Sequence, residues 1–180
     1  MRIGVLAAQG AFAEHIAILH QLKVEVTPVR LPTELVGLDG LIIPGGESTS
    51  ISRLMLDYNL ASKIRSLAKN GLPIFGTCAG MILLAKRNSA LDTEPLGVMD
   101  ITVRRNAFGR QRDSFETELS IPMLGEKPFP GVFIRAPVIE QVNSGVEILA
   151  RLADGTSVAV RQGKLLASAF HPELTNDLRF

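Results

Sequence analysis

Short apolar runs alternate with amphipathic segments through the first half of the chain. Residues 2–7 form an apolar run that predicts a strand, and residues 11–22, with apolar positions at helical spacing, predict a helix after it. Further strands are predicted at 24–29, 38–43 and 73–76, and helical segments at 32–36, 51–58, 60–70 and after position 78. Pro28 suggests that the second strand lies at an edge, because proline cannot donate to a sheet ladder. This alternation favours a parallel sheet covered by helices on both faces.

The pattern changes after Arg87, where strand-like alternation replaces the helical segments. Strands are predicted at 101–105 and 115–120, on either side of the polar segment 106–114, and then at 131–135, 146–152, 157–161 and 165–170. We therefore predict one α/β domain over residues 1–180. It is expected to be a flavodoxin-like three-layer α/β/α fold, with a mostly parallel central sheet and an antiparallel excursion in the second half.

Composition narrows the possible partners. The chain has 180 residues with 46% hydrophobic content, enough to bury a full core. Its 19 basic and 18 acidic residues are interspersed and give a net charge of +1, so no nucleic acid and no anionic membrane surface is expected as a partner. No apolar stretch approaches the length of a membrane span, and we expect a soluble protein.

Cysteine and histidine usage points to a reducing compartment and away from metal chemistry. One cysteine cannot form an internal disulfide, so a cytoplasmic location is expected. Cysteine and histidine do not cluster at metal-ligand spacing, and neither a P-loop nor a dinucleotide fingerprint occurs, so no metal and no cofactor is predicted. His15 and His20, on the first predicted helix, are expected to be ordinary surface or partner-facing residues.

Cys78 lies where the fourth predicted strand turns into a helix. Gly76 and Gly80 allow strand and helix to approach closely, so the residue between them is held in a tight turn that presents its side chain outward. Backbone N–H groups and the positive end of the helix dipole favour a thiolate there, the nucleophilic form of cysteine. A simpler interpretation is a small buried hydrophobic residue, which is the commoner role of a lone cysteine. The glycine-flanked turn favours the nucleophile.

His171 and Glu173 offer a base and an orienting carboxylate for that nucleophile. Pro172 biases His171 toward an extended backbone, in which residues two apart point to the same side, so Glu173 is expected to reach the imidazole. If the two strand ends converge, Cys78, His171 and Glu173 supply a nucleophile, a base and an orienting group. The alternative is a strand-terminal histidine beside a solvated glutamate.

The turn at Gly45 and Gly46 is a candidate oxyanion hole. A glycine before a helix leaves a backbone N–H free to face a developing negative charge. Plain capping is an equally simple interpretation, with Ser48 or Thr49 as the cap of the helix that follows.

The motifs around these residues resemble those of the class I glutamine amidotransferases, which hydrolyse glutamine with a Cys-His-Glu triad. Gly-Thr-Cys-Ala-Gly at 76–80 and His-Pro-Glu at 171–173 carry this resemblance. Within the class, the chain resembles the family of glutaminase subunits of pyridoxal 5′-phosphate synthase. That closer resemblance rests on Ala-Gln-Gly-Ala at 8–11, Pro-Gly-Gly-Glu-Ser-Thr at 44–49, Arg-Asn-Ala-Phe-Gly-Arg-Gln at 105–111, Asp-Ser-Phe at 113–115, Val-Phe-Ile-Arg-Ala-Pro at 132–137 and Phe-His-Pro-Glu-Leu at 170–174.

The resemblance implies a reaction and a set of site residues. Cys78 is expected to attack the carboxamide of L-glutamine, with His171 as general base and acid and Glu173 orienting His171. A thioester is then hydrolysed to glutamate, and ammonia passes to a separate synthase subunit that builds the cofactor. The resemblance assigns glutamine binding to Gly46, Glu47, Ser48, Arg105, Ile134 and Arg135, and it places Gly45 and Gln9 in the oxyanion region, with Gln9 facing the partner.

The sequence departs from the family pattern at its C-terminus, and two other functions are compatible with it. The family usually continues into a C-terminal helix, whereas residues 174–180 stop at its beginning, so that helix is expected to be missing and some apolar sheet surface uncovered. One rival is a redox-sensing or regulatory protein of similar fold, in which Cys78 is the sensor. The other is a cysteine-dependent esterase of the α/β-hydrolase type, which acts without a partner.

Overall fold

The computed structural model describes residues 1–88, 96–105 and 114–180. Its helices are α1 (Phe12–Gln21), α2 (Ser48–Asp57), α3 (Leu60–Lys69) and α4 (Ala79–Leu84). The strands are β1 (Arg2–Leu6), β2 (Glu25–Val29), β3 (Gly40–Ile43), β4 (Ile74–Thr77), β5 (Ala85–Asn88), β6 (Met99–Arg104), β7 (Ser114–Leu119), β8 (Phe129–Ile134), β9 (Val138–Val142), β10 (Glu147–Arg151), β11 (Ser157–Gln162) and β12 (Leu165–Ser168). Single 3₁₀ turns lie at Pro32–Leu35, Pro122–Leu124 and Pro172–Leu174. Within the described ranges, the helices are all too short or too polar to cross a membrane.

A seven-stranded sheet forms the centre of the fold, in the order β10-β11-β12-β4-β3-β1-β2. The five strands from β12 to β2 are mutually parallel, while β11 and β10 are added antiparallel at the other end. The mostly parallel sheet expected from the sequence is therefore confirmed. Among the described strands, β2 has β1 as its one sheet neighbour, so it is an edge strand, as Pro28 suggested.

Helices cover both faces of this sheet. Phe75 and Gly76 are adjacent in β4, so their side-chain positions point to opposite faces. Phe75 meets His15 of α1 at a ring-centroid distance of 6.4 Å. Gly76 faces α4, where an added methyl group would lie 2.7 Å from the side chain of Leu84. Helices α1 and α4 thus lie on opposite sides of β4, which gives the expected three layers.

The second half builds two small sheets beside the central one. Strands β5, β6 and β9 form one of them, and β7 pairs with β8 in the other. The antiparallel excursion is confirmed, but β6 and β7 do not pair with each other across the polar segment between them. Positions 106–113 of that segment lie outside the described residues. Strands β5 and β9 were not predicted, because each is short and follows a helix or a proline that obscures its pattern.

The apolar spacing of Ile51, Leu54, Met55 and Tyr58 predicts that these four residues share one face of a helix, and the buried face of α2 differs from that prediction. Ile51 and Met55 are buried as expected, but the tyrosine at position 58 is 50% exposed and lies one residue beyond the end of the helix. Ser48 and Ser52 complete the buried face instead. Ser48 and Ser52 are four positions apart, so they lie on the same face of the helix. A prediction based on apolar residues alone does not find them, because both are polar.

The last residues of the chain pack against the core. The ring of Phe180 lies 5.6 Å from that of Phe75 and 5.1 Å from that of Phe170, measured between centroids. Arg179 donates to the carbonyl oxygens of Leu124 and Lys127. These contacts cover part of the sheet surface that we expected to be open, and the missing C-terminal helix stays a prediction.

Candidate active site

The site lies at the carboxyl ends of four neighbouring parallel strands. Strands β1, β3, β4 and β12 run in one direction, so the segments that follow them meet at one edge of the sheet. A cavity of about 380 Å³ opens there, large enough for an amino-acid substrate. The described residues that line it are Ala11, Gly45, Gly46, Glu47, Ser48, Cys78, Ile82, Arg105, Ile134, Arg135 and His171. All predicted site residues except Gln9 and Glu173 are in this lining.

Cys78 occupies a strained turn between β4 and α4. Its backbone has φ 49° and ψ −101°, outside the conformations that residues other than glycine adopt readily. Such a conformation costs about 1–3 kcal/mol and persists only where the surrounding structure enforces it. Here the Cys78 N–H donates to Ser168 O at 2.8 Å, and the first turn of α4 begins at its carbonyl. The predicted turn from strand to helix at Cys78 is present, and the role of Cys78 as nucleophile stays a prediction.

A substitution at Gly80 tests how closely α4 packs against β3 at this turn. It lies inside α4, and an added methyl group would overlap the backbone carbonyl of Ile43 in β3. Helix propensity alone predicts that Gly80→Ala stabilises the fold by about 1 kcal/mol. We expect the opposite, a loss of about 1–3 kcal/mol, because β3 cannot move away without disturbing the sheet. Urea unfolding checks the sign, with Ser62→Ala on the exposed face of α3 as a control. A midpoint for Gly80→Ala at or above that of the wild type would contradict the close packing.

His171 is held by Glu173, although not in the way the sequence suggested. The imidazole Nδ1 lies 2.7 Å from Glu173 Oε1, and both side chains are buried. Pro172 begins a 3₁₀ turn rather than an extended segment, so the expected alternation of side chains does not occur. The tight turn brings Glu173 back toward the histidine instead. The predicted contact is therefore present for a different backbone reason.

The electrostatics of His171 favour its charged form. Burial disfavours a charged imidazole, but hydrogen bonds to Cys78 and Glu173, together with their charges, raise the pKa of His171 to about 10. The imidazole Nδ1 is directed at Glu173, which leaves Nε2 for the sulfur. At neutral pH this histidine holds its proton, in the form that can protonate a leaving amine.

The turn at Gly45 and Gly46 lies directly against these groups. A methyl group added to Gly45 would overlap the imidazole of His171. Two hydrogen bonds attach the turn to the segment after β1. The Ala11 N–H donates to Gly45 O at 3.0 Å, and the Glu47 N–H donates to the side-chain oxygen of Gln9 at 2.9 Å. Gln9 thus contacts the turn itself rather than the cavity.

Glu47 is the cap of α2, in place of the Ser48 or Thr49 cap that we considered. Its carboxylate accepts from the N–H groups of Thr49 at 3.1 Å and Ser50 at 2.7 Å. Partial burial works against the charged form, but the hydrogen bonds from Ser50 and Thr49 outweigh it and lower the pKa of Glu47 to about 2. The Arg105 guanidinium lies 3.0 Å from the same carboxylate. The remainder of the motif that begins at Arg105, positions 106–111, lies outside the described residues.

Three further features of the cavity suit a polar ligand. The hydroxyl of Ser48 is buried and has no hydrogen-bond partner among the described residues. Ile134, also in the lining, places its carbonyl oxygen 4.0 Å from Cys78 Sγ. Arg135, the next residue, has φ 43°, a second strained position in the lining. Strained backbone and unpaired polar groups concentrate at ligand sites.

His15 was missed by the sequence analysis. It is 4% exposed, and its Nε2 lies 3.2 Å from Thr77 Oγ1 and 3.4 Å from Glu173 Oε2. The expectation of a surface residue is wrong for His15, whereas His20 is exposed as expected. The available signal was spacing, because His15 lies four residues before Leu19 and shares its buried face of α1.

A cysteine on a strand-to-helix turn, with a histidine and a buried glutamate on a mostly parallel sheet, matches the site expected of a class I glutamine amidotransferase. The chain belongs to the SNO glutamine amidotransferase family, whose model matches residues 5–180. A solved crystal structure of a glutamine amidotransferase is similar to this chain, with a TM-score of 0.92 and 51% identity, over 98% of this chain and 93% of the other. The structure of PurLQS from Thermotoga maritima shares the fold at 17% identity, with a TM-score of 0.69 over 96% of this chain and 87% of the other.

Curated relatives are similar along the whole chain. The pyridoxal 5′-phosphate synthase subunit PdxT of Herpetosiphon aurantiacus is 60% identical over 183 residues, which covers 100% of this chain and 96% of the relative. The protein of the same name from Moorella thermoacetica is 59% identical over 179 residues, covering 99% of this chain and 95% of the relative.

Proposed function

We propose that this chain is the glutaminase subunit of pyridoxal 5′-phosphate synthase and that it releases ammonia from L-glutamine in the cavity at Cys78. The single observation that carries the proposal is the buried arrangement of Glu173, His171 and Cys78 at that cavity. Relatives named as subunits of this synthase support the assignment, since this chain is 60% identical to one of them and spans 96% of its length. The synthase subunit is the partner, and vitamin B6 biosynthesis is the pathway.

The chemistry follows from the three side chains. The Cys78 sulfur attacks the carboxamide carbon of glutamine, and the carbonyl oxygen becomes an oxyanion. His171 gives its proton to the leaving nitrogen, so that ammonia departs and a thioester remains. His171 then takes a proton from water, which hydrolyses the thioester to glutamate and restores the sulfur. Glu173 holds the imidazole in the orientation that both steps need.

Glutamine is recognised by the charged pair at the cavity mouth. The Arg105 guanidinium suits the α-carboxylate of a free amino acid, and the Glu47 carboxylate, which stays ionised, suits its α-ammonium group. The unpaired hydroxyl of Ser48 and the backbone at Ile134 and Arg135 complete the set. Gly46 lines the same cavity, and a methyl group added there would overlap the side chain of Gln9, so the turn needs glycine to keep its close contact with the segment after β1.

The oxyanion hole depends on the turn at Gly45 and Gly46. In this structure Gln9 accepts a hydrogen bond from the Glu47 N–H, which holds the turn to the segment after β1. Gln9 is also the site residue that we expect to face the partner. A partner that moves the Gln9 side chain frees the turn to direct an N–H toward the oxyanion.

We therefore expect the isolated chain to be nearly inactive and the complex to be active. Ammonia release from glutamine, measured with and without the synthase subunit, tests the proposed function. A rise of about 10²-fold in kcat on complex formation is the expected size, because one oxyanion donor contributes roughly that factor or more. Full activity of the isolated chain would contradict the role of the partner in forming the hole. No glutamine hydrolysis in either state would contradict the function itself.

The free thiol of Cys78 also indicates where in the cell the protein works. Cys78 is a free cysteine, and the mechanism needs it reduced, so we infer a cytoplasmic location, where thiols are kept reduced. The redox-sensor alternative gives no role to the buried Glu173 behind His171. The esterase alternative gives none to the charged Glu47 and Arg105 pair at the cavity mouth.

A further inference from the structure

The carboxylate of Glu173 is satisfied on one side only. Its Oε1 pairs with His171, whereas its Oε2 is buried and has no hydrogen-bond partner among the described residues. An unpaired oxygen on a buried carboxylate is costly, because the group has lost its water. A triad that relies on this carboxylate needs something to hold the second oxygen.

His15 lies beside that oxygen. Its Nε2, on α1, lies 3.4 Å from Glu173 Oε2, whereas His171 contacts the other carboxylate oxygen, Oε1. Thr77 Oγ1, at the end of β4, lies 3.2 Å from the same nitrogen. The distance to the carboxylate is long for a hydrogen bond, but contacts of this kind tighten when an active site is assembled with its substrate.

The protonation state of His15 follows from its surroundings. Burial lowers the pKa of His15; the charges of Glu173 and Glu14 act in the opposite direction, and that of His171 acts with burial. The imidazole is therefore neutral and carries one N–H. An ionised carboxylate can only accept hydrogen bonds. If His15 Nε2 carried no proton, its lone pair and that of Glu173 Oε2 would face each other and repel. The proton therefore belongs on Nε2, and Thr77 can rotate its hydroxyl to suit.

We propose that His15 is a positioning residue of the triad, whose neutral imidazole donates its Nε2–H to Glu173 Oε2 and so keeps Oε1 on His171. The inference rests on the proposed glutaminase function and adds a fourth residue to it. His15 does not line the cavity, so it acts on glutamine only through Glu173 and His171. Its removal should impair the chemical step and leave substrate binding intact.

Kinetics of the complex with the synthase subunit test this role. His15→Leu keeps the bulk and removes the donor, and we expect kcat for glutamine hydrolysis to fall by about 10- to 100-fold, as when the hydrogen-bond partner behind a functional group is lost. The KM for glutamine should stay within about twofold. His15→Gln, whose amide nitrogen can take the place of Nε2, should recover most of kcat. The control is His20→Leu, which replaces an exposed histidine on the same helix and should keep the wild-type kcat when the synthase subunit is saturating.

Different results would contradict the role of His15 and the glutaminase function. Wild-type kcat in a folded His15→Leu complex would overturn the positioning role while leaving the glutaminase in place. Equal losses in the Leu and Gln variants would mean that His15 serves packing alone. Histidine ¹⁵N NMR on the unmodified chain gives an answer even if both variants misfold. We expect His15 to be neutral and protonated on Nε2, and a spectrum with the proton on Nδ1 would refute the inference. An inactive wild-type complex would contradict the proposed function instead.

Discussion

Cys78→Ala is expected to abolish glutamine hydrolysis by the complex. The sulfur is the atom that forms the thioester, and no other side chain in the described part of the cavity lining is a comparable nucleophile. Removal of a covalent nucleophile costs at least about 10⁴-fold in kcat, and up to about 10⁶-fold where the triad acts as a unit. Ammonia release at saturating glutamine measures the loss directly.

The fold should survive this substitution. Alanine is smaller than cysteine, and the turn is imposed by Gly76 and Gly80 together with the bond from the residue 78 N–H to Ser168 O. Unfolding in urea should therefore show a change of less than about 1.5 kcal/mol. Glutamine should still bind, as calorimetry can show, since Arg105 and Glu47 are untouched. Substantial hydrolysis by a folded Cys78→Ala complex would mean that the nucleophile is another group.

The turn at Cys78 was predictable because its causes are local. The two glycines permit the close approach of strand and helix, and the apolar residues on either side specify a buried β4 and α4. The structure shows the same close approach, because a methyl group added to Gly80 would overlap the backbone of β3. A site at the carboxyl edge was likewise predictable, because alternating strands and helices fix where loops meet in a parallel sheet.

Contacts between distant segments were not predictable in this way. His15 and Glu173 are 158 positions apart, since 173 − 15 = 158, and only the packing of α1 onto the turn at 172–174 brings them together. That turn was itself predicted as extended, because a residue before proline favours the β region even where a 3₁₀ turn follows. The pairing of β6 with β9 was not predictable for the same reason, because β7 and β8 lie between these two strands along the chain. Alternation predicts strands but does not choose their neighbours.

His171→Asn separates the production of ammonia from its use. Asparagine can place its amide N–H near the position of the imidazole Nδ1, so the buried Glu173 keeps a partner and the fold is expected to hold. It has no group that can move a proton to or from the sulfur. Glutamine-dependent synthesis of pyridoxal 5′-phosphate by the complex should therefore fall by at least about 10³-fold, as when a triad base is removed.

Ammonium salts should restore synthesis to the wild-type rate in the same variant complex. External ammonia bypasses the triad, because the carbon chemistry resides in the synthase subunit. His20→Asn, an exposed substitution, is the matched control and should retain both activities. A His171→Asn complex that fails with both nitrogen sources would show that His171 is needed for folding or docking rather than for catalysis. A complex that still uses glutamine would show that His171 is not the base, and the triad of Cys78, His171 and Glu173 would have to be withdrawn.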